Sequence, residues 1–176
     1  MIKINPFGAG SDKTEYQPYD KELPKIFEEI KALILQELPD VSVEHIGSSS
    51  IPGIGGRNVL DIAIPSSEEK HKAITTKLKQ LGFENSPFPH YLPLLVATTT
   101  WDEKKYFILL YVLSEENPTF KDWLAFRNYM RQNPVDAKAY DEVKQQAIKE
   151  GNAEDDSYQK AKSPFLKNML EKIKTN

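Results

Sequence analysis

One stretch of the chain, residues 43–64, most constrains its fold. Three serines and four glycines in this stretch lie between two apolar segments. The first segment, residues 41–46, predicts a short buried strand, and the second, residues 58–64, predicts another that is interrupted only by Asp61. The serines at 48–50 follow the first strand directly, and successive backbone N–H groups at such a strand-to-helix junction favour anions. The stretch therefore predicts a phosphate-binding loop between two strands.

Asp61 is the charged residue of the second predicted strand. A carboxylate in an otherwise buried strand needs a compensating interaction. Mg²⁺ supplies one, because it is bound through oxygen, usually by one or two carboxylates together with phosphates and waters. Strand side chains alternate, so a second acid on the same face would stand two residues further on, where the chain has Ala63. Two interpretations stay open: Asp61 holds magnesium or substrate, or it is a structural acid that accepts backbone N–H bonds or pairs with Arg57.

The same residues resemble a known family. The segments at 45–53, His-Ile-Gly-Ser-Ser-Ser-Ile-Pro-Gly, and at 58–62, Asn-Val-Leu-Asp-Ile, are similar to the GrpB family within the nucleotidyltransferase-like superfamily. The resemblance covers residues 14–173. It is continued, in the family's order, by residues 16–20, residues 124–134, the pair Tyr140 and Lys144, and the pair Tyr158 and Lys162.

The resemblance implies both a fold and a function. The implied fold is α/β (α+β), a nucleotidyltransferase-like mixed sheet with helices packed on it and a helical C-terminal extension. The implied ligand is a nucleotide or another phosphorylated small molecule, with Mg as cofactor. The reaction would be attack of an acceptor on the α-phosphorus, with pyrophosphate leaving. The implied site comprises Gly47, Ser48, Ser49, Arg57 and Arg127 for phosphate or nucleotide binding, and Asp61 as metal ligand and catalytic residue.

Two departures bear on catalysis. Ala63 departs from the paired acids of the superfamily, although the GrpB family commonly shows a single aspartate here. The positions of the family's histidines fall on Leu109 and Tyr111. Acids that could substitute lie elsewhere, at Glu44, Asp102, Glu103, Glu115 and Glu116. Three functions therefore stay open: a nucleotidyltransferase-related protein, a binding module that kept the loop and lost the metal-binding acids, and an interaction protein that uses the helical tail.

Composition excludes several classes of protein. The chain has 176 residues, a formal net charge of -3 and no cysteine, so nothing in the sequence indicates nucleic-acid binding, a disulfide framework or a cysteine zinc site. Its three histidines are far apart and make a poor metal set. No apolar run approaches the roughly 18 residues of a membrane span. We expect a soluble, cytoplasmic protein without a membrane partner, and the oligomeric state stays open.

The N-terminal half predicts two helices and a hairpin around the loop. A helix over residues 20–38, capped by Asp20, should pack through Ile26, Phe27 and Ile30. A second helix is predicted over residues 68–81. The hairpin is predicted from two strands, 91–97 and 106–113, and the connection between them, 98–104.

The C-terminal half predicts helices only. Asn117 and Asn133 each precede a proline, and such a pair joins an N-cap side chain to the residue favoured at the first helical position. Helices are predicted over residues 118–132, 134–150 and about 158–173. The last contains Pro164, which predicts either a kink or a restart with Ser163 as the cap. We predict one domain, 1–176, with an α/β core at 1–115 and a helical extension at 116–176.

Several polar side chains allow a structural interpretation. Arg127 is either a substrate clamp or part of an ion-pair network. His45 is either a ligand contact or a hydrogen-bonded histidine at a strand end. In the helical tail, Trp123, Phe126, Tyr129 and Met130 form a bulky face that needs a partner. The Tyr140–Lys144 and Tyr158–Lys162 pairs, one helical turn apart, predict lysine stems stacked on rings at the surface.

Overall fold

A computed structural model of the chain describes residues 2–8, 15–87, 92–150 and 155–175. Its strands are β1 (Glu44–Ile46), β2 (Val59–Pro65), β3 (Glu84–Asn85), β4 (Leu94–Trp101) and β5 (Lys104–Leu113). Its helices are α1 (Leu23–Glu37), α2 (Glu68–Gln80), α3 (Pro118–Gln132), α4 (Pro134–Lys149) and α5 (Asp155–Thr175). A short 3₁₀ helix, Ser48–Ser50, follows β1. The strands form one sheet in the order β1-β2-β5-β4-β3, in which β2 and β5 are parallel and the other pairs antiparallel. The predicted mixed α+β sheet is confirmed.

The two faces of β2 have different surroundings. Leu60, Ile62 and Ile64 point to one face, where they are fully buried in the main core with apolar residues of α1 and α2. Asp61 and Ala63 point to the other face because strand side chains alternate. Ala63 packs there with β1, β5 and the start of α3, through Ile46, Tyr111, Leu113 and Phe120. The sequence thus directs one acid away from the main core and toward the C-terminal helices.

The loop between β1 and β2 packs on those helices. Ile51 and Ile54 are buried in a cluster with Met130, Tyr140 and Met169. The aromatic face of α3 is also covered within the chain. The ring centroids of Phe126 and Tyr140 are 5.2 Å apart, and those of Trp123 and Tyr111 are 4.9 Å apart. The observation that favoured an interaction protein, an aromatic face without a partner, is therefore accounted for by intramolecular packing.

The structure corrects the predicted cap of the first helix. Helix α1 begins at Leu23, and Asp20 lies before its N-cap residue, Glu22, which has no side-chain cap bond. One Asp20 oxygen accepts from the Glu22 backbone N–H, and the other accepts from Lys104 Nζ at 2.6 Å and Tyr106 OH at 2.7 Å. Burial favours the neutral acid, but these bonds lower the pKa of Asp20 to about 2. The carboxylate joins the segment before α1 to β5 instead of capping the helix.

The hairpin is tighter than predicted. Strands β4 and β5 continue to Trp101 and from Lys104, so the connection is the pair Asp102 and Glu103. Both have positive φ, 47° and 65°, as a two-residue turn between twisted strands requires. The predicted start of the first strand, Tyr91, lies outside the described residues.

Two predictions for the helical segment are corrected as well. Asn117 caps α3 as predicted, accepting from the Thr119 backbone N–H at 2.9 Å. Asn133 makes no such cap bond, because its side chain donates to the Tyr129 carbonyl at the end of α3. Helix α5 does not restart at Ser163, because it continues without a break across Pro164. The Ser163 hydroxyl donates to the Gln159 carbonyl. No helix in the described part of the chain is long and apolar enough to cross a membrane.

Candidate functional site

A glycine-dependent turn follows β1. Gly47 has φ 68° and ψ -174°, a conformation essentially restricted to glycine, and the 3₁₀ helix starts immediately after it. The hydroxyl of Ser50 donates to the Gly47 carbonyl at 2.6 Å. The hydroxyl of Ser49 lies 3.0 Å from Nε2 of His45. Ser48 differs, since none of the described residues forms a hydrogen bond with its hydroxyl. We call residues 47–50 the Gly-Ser turn.

Asp61 faces this turn at very short range. A Cβ atom placed on Gly47 would lie 2.2 Å from Asp61 Oδ2, so only a hydrogen side chain fits between the turn and the carboxylate. The reason lies in the register, because Asp61 stands directly opposite Ile46, the last residue of β1. Asp61 is half-buried. The predicted proximity of Gly47, Ser48 and Asp61 is thus present in the fold.

The positions beside Asp61 carry no second acid. Ala63 is fully buried, and β5 places Leu109 next to Asp61 and Tyr111 next to Ala63. No cluster of three or more possible metal ligands occurs within the part of the chain that the structure describes. Among the candidate substitutes, Glu44 pairs with Arg127 and Glu116 pairs with Lys121. A single carboxylate suits Mg²⁺ only when phosphate and water complete its six oxygen ligands.

Helix α4 holds the second half of the loop between β1 and β2 through hydrogen bonds to Gly55. The Gly55 backbone N–H donates to Asp141 Oδ1 at 2.9 Å, and Lys144 Nζ donates to the Gly55 carbonyl. The other Asp141 oxygen accepts from Tyr16 OH at 2.7 Å and from Gln145 Nε2 at 2.9 Å. The ring of Tyr16 leaves no room for a Cβ at Gly55. Groups from two distant parts of the chain, the segment at Tyr16 and helix α4, therefore hold this loop in one conformation.

The two Tyr–Lys pairs are buried and face the loop, which corrects the prediction that they lie at the surface. Tyr158 is 2% exposed, Lys162 8% and Lys144 0%. Arg57 lies 4.6 Å and Lys162 Nζ 4.2 Å from the centroid of the Tyr158 ring. Sequence reasoning underrated these residues. The repeated Tyr-x-x-x-Lys spacing in two successive helices was the signal that could have identified them.

Charges around the turn act on one another. The pKa of Lys144 is lowered to about 7, chiefly by burial and also by the charge of Lys162. Asp141 and Asp61 oppose this shift. Burial raises the pKa of Tyr158 to about 12, an effect that Arg57 opposes and Asp61 reinforces. Asp61 therefore lies within electrostatic reach of cationic and phenolic groups from α4 and α5.

Arg127 and Arg131 join α3 to β1 and to the Gly-Ser turn. Arg127 Nη1 donates to Glu44 Oε2 at 2.8 Å and to the His45 carbonyl at 2.9 Å. Arg131 donates to the Ser50 carbonyl through Nε at 2.9 Å and through Nη2 at 2.7 Å. Arg127 thus occupies the ion-pair network that was one of its two interpretations. A phosphate contact by Arg127 stays a prediction.

His45 provides a testable pH dependence. It is 6% exposed and stacks on Phe27, with ring centroids 4.6 Å apart. Burial, followed by the charges of Arg131 and Arg127, lowers the pKa of His45 to about 3 from 6.5. Between these pH values the unfolded chain binds a proton that the folded chain excludes. Stability should therefore fall as pH drops below 6.5, by up to about 1.4 kcal/mol per pH unit.

Urea denaturation at pH 7, 6, 5 and 4 measures this dependence. The matched variant, His45→Gln, keeps a hydrogen-bonding group near Ser49 but does not titrate. It should remove the His45 contribution between pH 6.5 and 4, leaving a small fall near pH 7 as Lys144 takes up its proton, and the Asp20 contribution, which is lost only as the pH falls from 3.8 toward 2. Parallel profiles for the two proteins would show that His45 is not buried in its neutral form.

The sheet defines a fold class. A mixed sheet of this order, with a glycine-serine turn after its edge strand, is a nucleotidyltransferase-like fold. The structure of the GLD-2/RNP-8 complex shares this fold, with a TM-score of 0.56 at 12% identity over 74% of this chain and 55% of that chain. At this identity the likeness shows the fold alone.

The chain belongs to the GrpB family, because the model of the family described as GrpB protein matches residues 13–172. The crystal structure of the conserved protein GrpB from Enterococcus faecalis is similar over 90% of this chain and 98% of that chain, with a TM-score of 0.70 and 25% identity. A UPF0157 protein of Vibrio cholerae serotype O1 is 32% identical over 158 residues, which are 89% of this chain and 78% of that protein.

Proposed function

We propose that this GrpB-family protein binds a nucleotide or another phosphorylated small molecule at the Gly-Ser turn. The observation that carries the proposal is the approach of the Asp61 carboxylate to Gly47, at the junction of β1 and the 3₁₀ helix. Ser48 supports it, since its hydroxyl has no hydrogen-bond partner among the described residues. In the proposed site, backbone N–H groups of the turn and the Ser48 hydroxyl hold phosphate oxygens.

Charges of both signs lie near the turn. Among the described residues, Arg57, Lys162 and Lys144, whose pKa of about 7 leaves it partly protonated at neutral pH, accompany two carboxylates, Asp61 and Asp141, in the network around the loop. Bound Mg²⁺ would neutralise phosphate charge, and Asp61 is the residue that would hold it. We therefore expect Mg²⁺ to bind together with a phosphorylated ligand, because one carboxylate among several cations attracts it weakly by itself.

Nucleotidyl transfer is a second candidate function, favoured by the fold and by the position of Asp61. An acceptor oxygen would attack the α-phosphorus, the bond from that phosphorus to the bridging oxygen would break, and pyrophosphate would leave with the electron pair. Ala63 and Leu109 oppose this candidate, because they put apolar side chains at the positions beside Asp61. Binding without transfer is therefore our first proposal, and pyrophosphate release in the presence of candidate acceptors tests the second.

Thermal unfolding with a panel of nucleoside triphosphates, with and without Mg²⁺, tests the binding proposal. A ligand at a hundred times its dissociation constant should stabilise the protein by about 2.7 kcal/mol. We expect a shift with a triphosphate, a smaller shift when Ser48 is replaced by alanine, and none with Mg²⁺ alone. Asp61→Asn should abolish the part of the shift that depends on Mg²⁺.

The matched control is Asp40→Asn, an exposed aspartate after α1 that should leave every shift unchanged. If the thermal shift caused by a triphosphate were the same without Mg²⁺ and in Asp61→Asn, the result would support phosphate binding and contradict metal binding by Asp61. The absence of a shift with every triphosphate would contradict nucleotide binding. Loss of the shift in Asp40→Asn as well as in Asp61→Asn would place the ligand elsewhere.

A further inference from the structure

A second candidate site lies at the free edge of β1. It is a cleft of about 390 Å³ between α1, β1 and α3. We call it the β1 cleft, and its lining includes Tyr19, Phe27, Lys31, Glu44, Arg127 and Arg131. Its volume is within the range of small-molecule sites. Of its lining residues, only Arg127 and His45 were considered above as ligand contacts, and the function proposed for the Gly-Ser turn uses neither.

The cleft is separate from the Asp61 site. Asp61 stands opposite Ile46 on one face of the sheet, so His45, the preceding residue of β1, points to the other face. His45 stacks there on Phe27 of α1, and both residues line the cleft. The Gly-Ser turn belongs to the Asp61 site, and its last residue, Ser50, also lines the cleft.

Two guanidinium groups bring positive charge to the cleft. Arg127 and Arg131 are one helical turn apart on α3, and both reach β1 or the turn through the hydrogen bonds described above. Arg127 uses Nη1 in these bonds and Nε in a bond to Asn128 Oδ1, whereas Arg131 uses Nε and Nη2. Arg127 Nη2 and Arg131 Nη1 donate to none of the described residues. One terminal nitrogen of each guanidinium therefore remains for a ligand.

The carboxylates in the cleft do not fully balance these cations. Glu44 pairs with Arg127, and Glu28, the other acid in the lining, is exposed. Lys31 adds a third cation, with Nζ 5.8 Å from the centroid of the Phe27 ring. The proximity of the two arginines also has a cost, since burial and then the charge of Arg127 lower the pKa of Arg131. A bound anion would reduce this repulsion.

We propose that the β1 cleft binds a small molecule that carries a phosphate or a carboxylate, held by Arg131, Lys31 and the remaining nitrogen of Arg127. Phosphate and carboxylate oxygens both accept charge-assisted hydrogen bonds from guanidinium nitrogens, and each of the two arginines has one terminal nitrogen left to donate. The apolar part of the ligand would lie against Tyr19, Phe27 and Pro52, which belong to the same lining. This site does not depend on the function proposed for the Gly-Ser turn.

Nuclear magnetic resonance titration of the full chain, with inorganic phosphate and separately with benzoate, tests the proposal. Saturable shifts of the backbone amides of Lys31, His45 and Arg131 are expected with at least one of the two anions. The anion that binds more tightly identifies the chemical source. Lys31→Gln should weaken binding about tenfold, the loss expected when a charge-assisted hydrogen bond is removed.

Matched variants separate the two sites. Lys25→Gln removes a lysine from the same helix outside the cleft lining and should leave binding unchanged. Ser48→Ala should also leave it unchanged. Arg131→Lys keeps the charge but loses the terminal nitrogen that remains for the ligand, so it should weaken binding. Lys31→Gln keeps the test decisive, because the Lys31 side chain makes no ion pair with any described residue.

Two results would overturn the inference. One is the absence of saturable shifts with both anions. The other is binding that survives Lys31→Gln but is lost in Ser48→Ala, because the anion would then occupy the Gly-Ser turn. The second result would contradict anion binding in the β1 cleft but not the function proposed for the Gly-Ser turn. Loss of triphosphate binding with intact cleft binding would contradict the proposed function but not the cleft. The failures of the two proposals are therefore distinguishable.

Discussion

Replacing Gly47 by alanine is expected to lower the free energy of unfolding by about 4 kcal/mol. Two costs add. The backbone at φ 68° and ψ -174° is strained for any residue with a side chain, at about 1–3 kcal/mol. The new methyl group would also lie 2.2 Å from Asp61 Oδ2 and 2.9 Å from Asp61 Cβ, and forcing such overpacking apart costs about 1–3 kcal/mol. Urea denaturation at pH 7 measures the sum.

Gly53→Ala is the matched control for this prediction. Gly53 also has positive φ, 83°, but a Cβ atom placed there would meet nothing within 4 Å. It should cost only about 1–2 kcal/mol, the penalty for a left-handed backbone conformation. A double-mutant cycle of Gly47→Ala with Asp61→Gly then isolates the steric part, because glycine at position 61 removes all the clashing atoms. Equal losses for Gly47→Ala and Gly53→Ala would contradict the close approach of Asp61 to the turn.

Replacing Asp141 by alanine should cost about 3–5 kcal/mol, the range for breaking a buried ion pair from one side. The Asp141 carboxylate accepts from the Gly55 N–H, Tyr16 OH and Gln145 Nε2, and it lies 3.6 Å from Lys144 Nζ. Its side chain is 15% exposed, and that of Lys144 is 0% exposed, so water can replace few of these partners. Urea denaturation of the variant and the parent protein measures the loss.

Tyr16→Phe is the matched deletion of one hydroxyl in this network. It removes the donor to Asp141 and the long bond from Gln145 Nε2, but it keeps the ring that packs on Gly55, so we expect a loss of about 1 kcal/mol. Asp141→Ala should also reduce any triphosphate response at the Gly-Ser turn, because the loop that follows the turn loses its attachment to α4. If Asp141→Ala were no more destabilising than Tyr16→Phe, the carboxylate would not be the centre of the network.

The sequence was sufficient to predict the features that depend on local chemistry. The order of β1, the Gly-Ser turn and β2 follows from apolar segments on either side of small residues, and the starts of α3 and α4 follow from the two Asn-Pro pairs. The proximity of Asp61 to Gly47 was also predictable, because two consecutive strands that pair antiparallel bring the end of the first beside the start of the second, even across the loop 47–58. The mixed fold was predictable chiefly from the family resemblance.

Features that depend on contacts between distant residues could not be predicted. Aspartate is a residue type favoured at helix N-caps, but the Asp20 carboxylate accepts hydrogen bonds from Lys104 and Tyr106 instead. Tyr158 and Lys162 have the spacing of a surface pair, and only the position of α5 against the loop buries them. Spacing within one helix does not reveal what packs against that helix. The assignment of the site residues to phosphate and metal, and the division at residue 115, remain predictions.

The attachment of Gly55 has a consequence for biosynthesis. Its partners Asp141 and Lys144 follow it by 86 and 89 residues, and Asp141 follows Tyr16 by 125 residues. A nascent chain can pair all five strands once β5 has left the ribosome, since that strand ends at Leu113. The site proposed at the Gly-Ser turn still lacks α4 at that stage. Binding of the proposed ligand should consequently require the nearly finished polypeptide, and translation intermediates should not compete for that ligand.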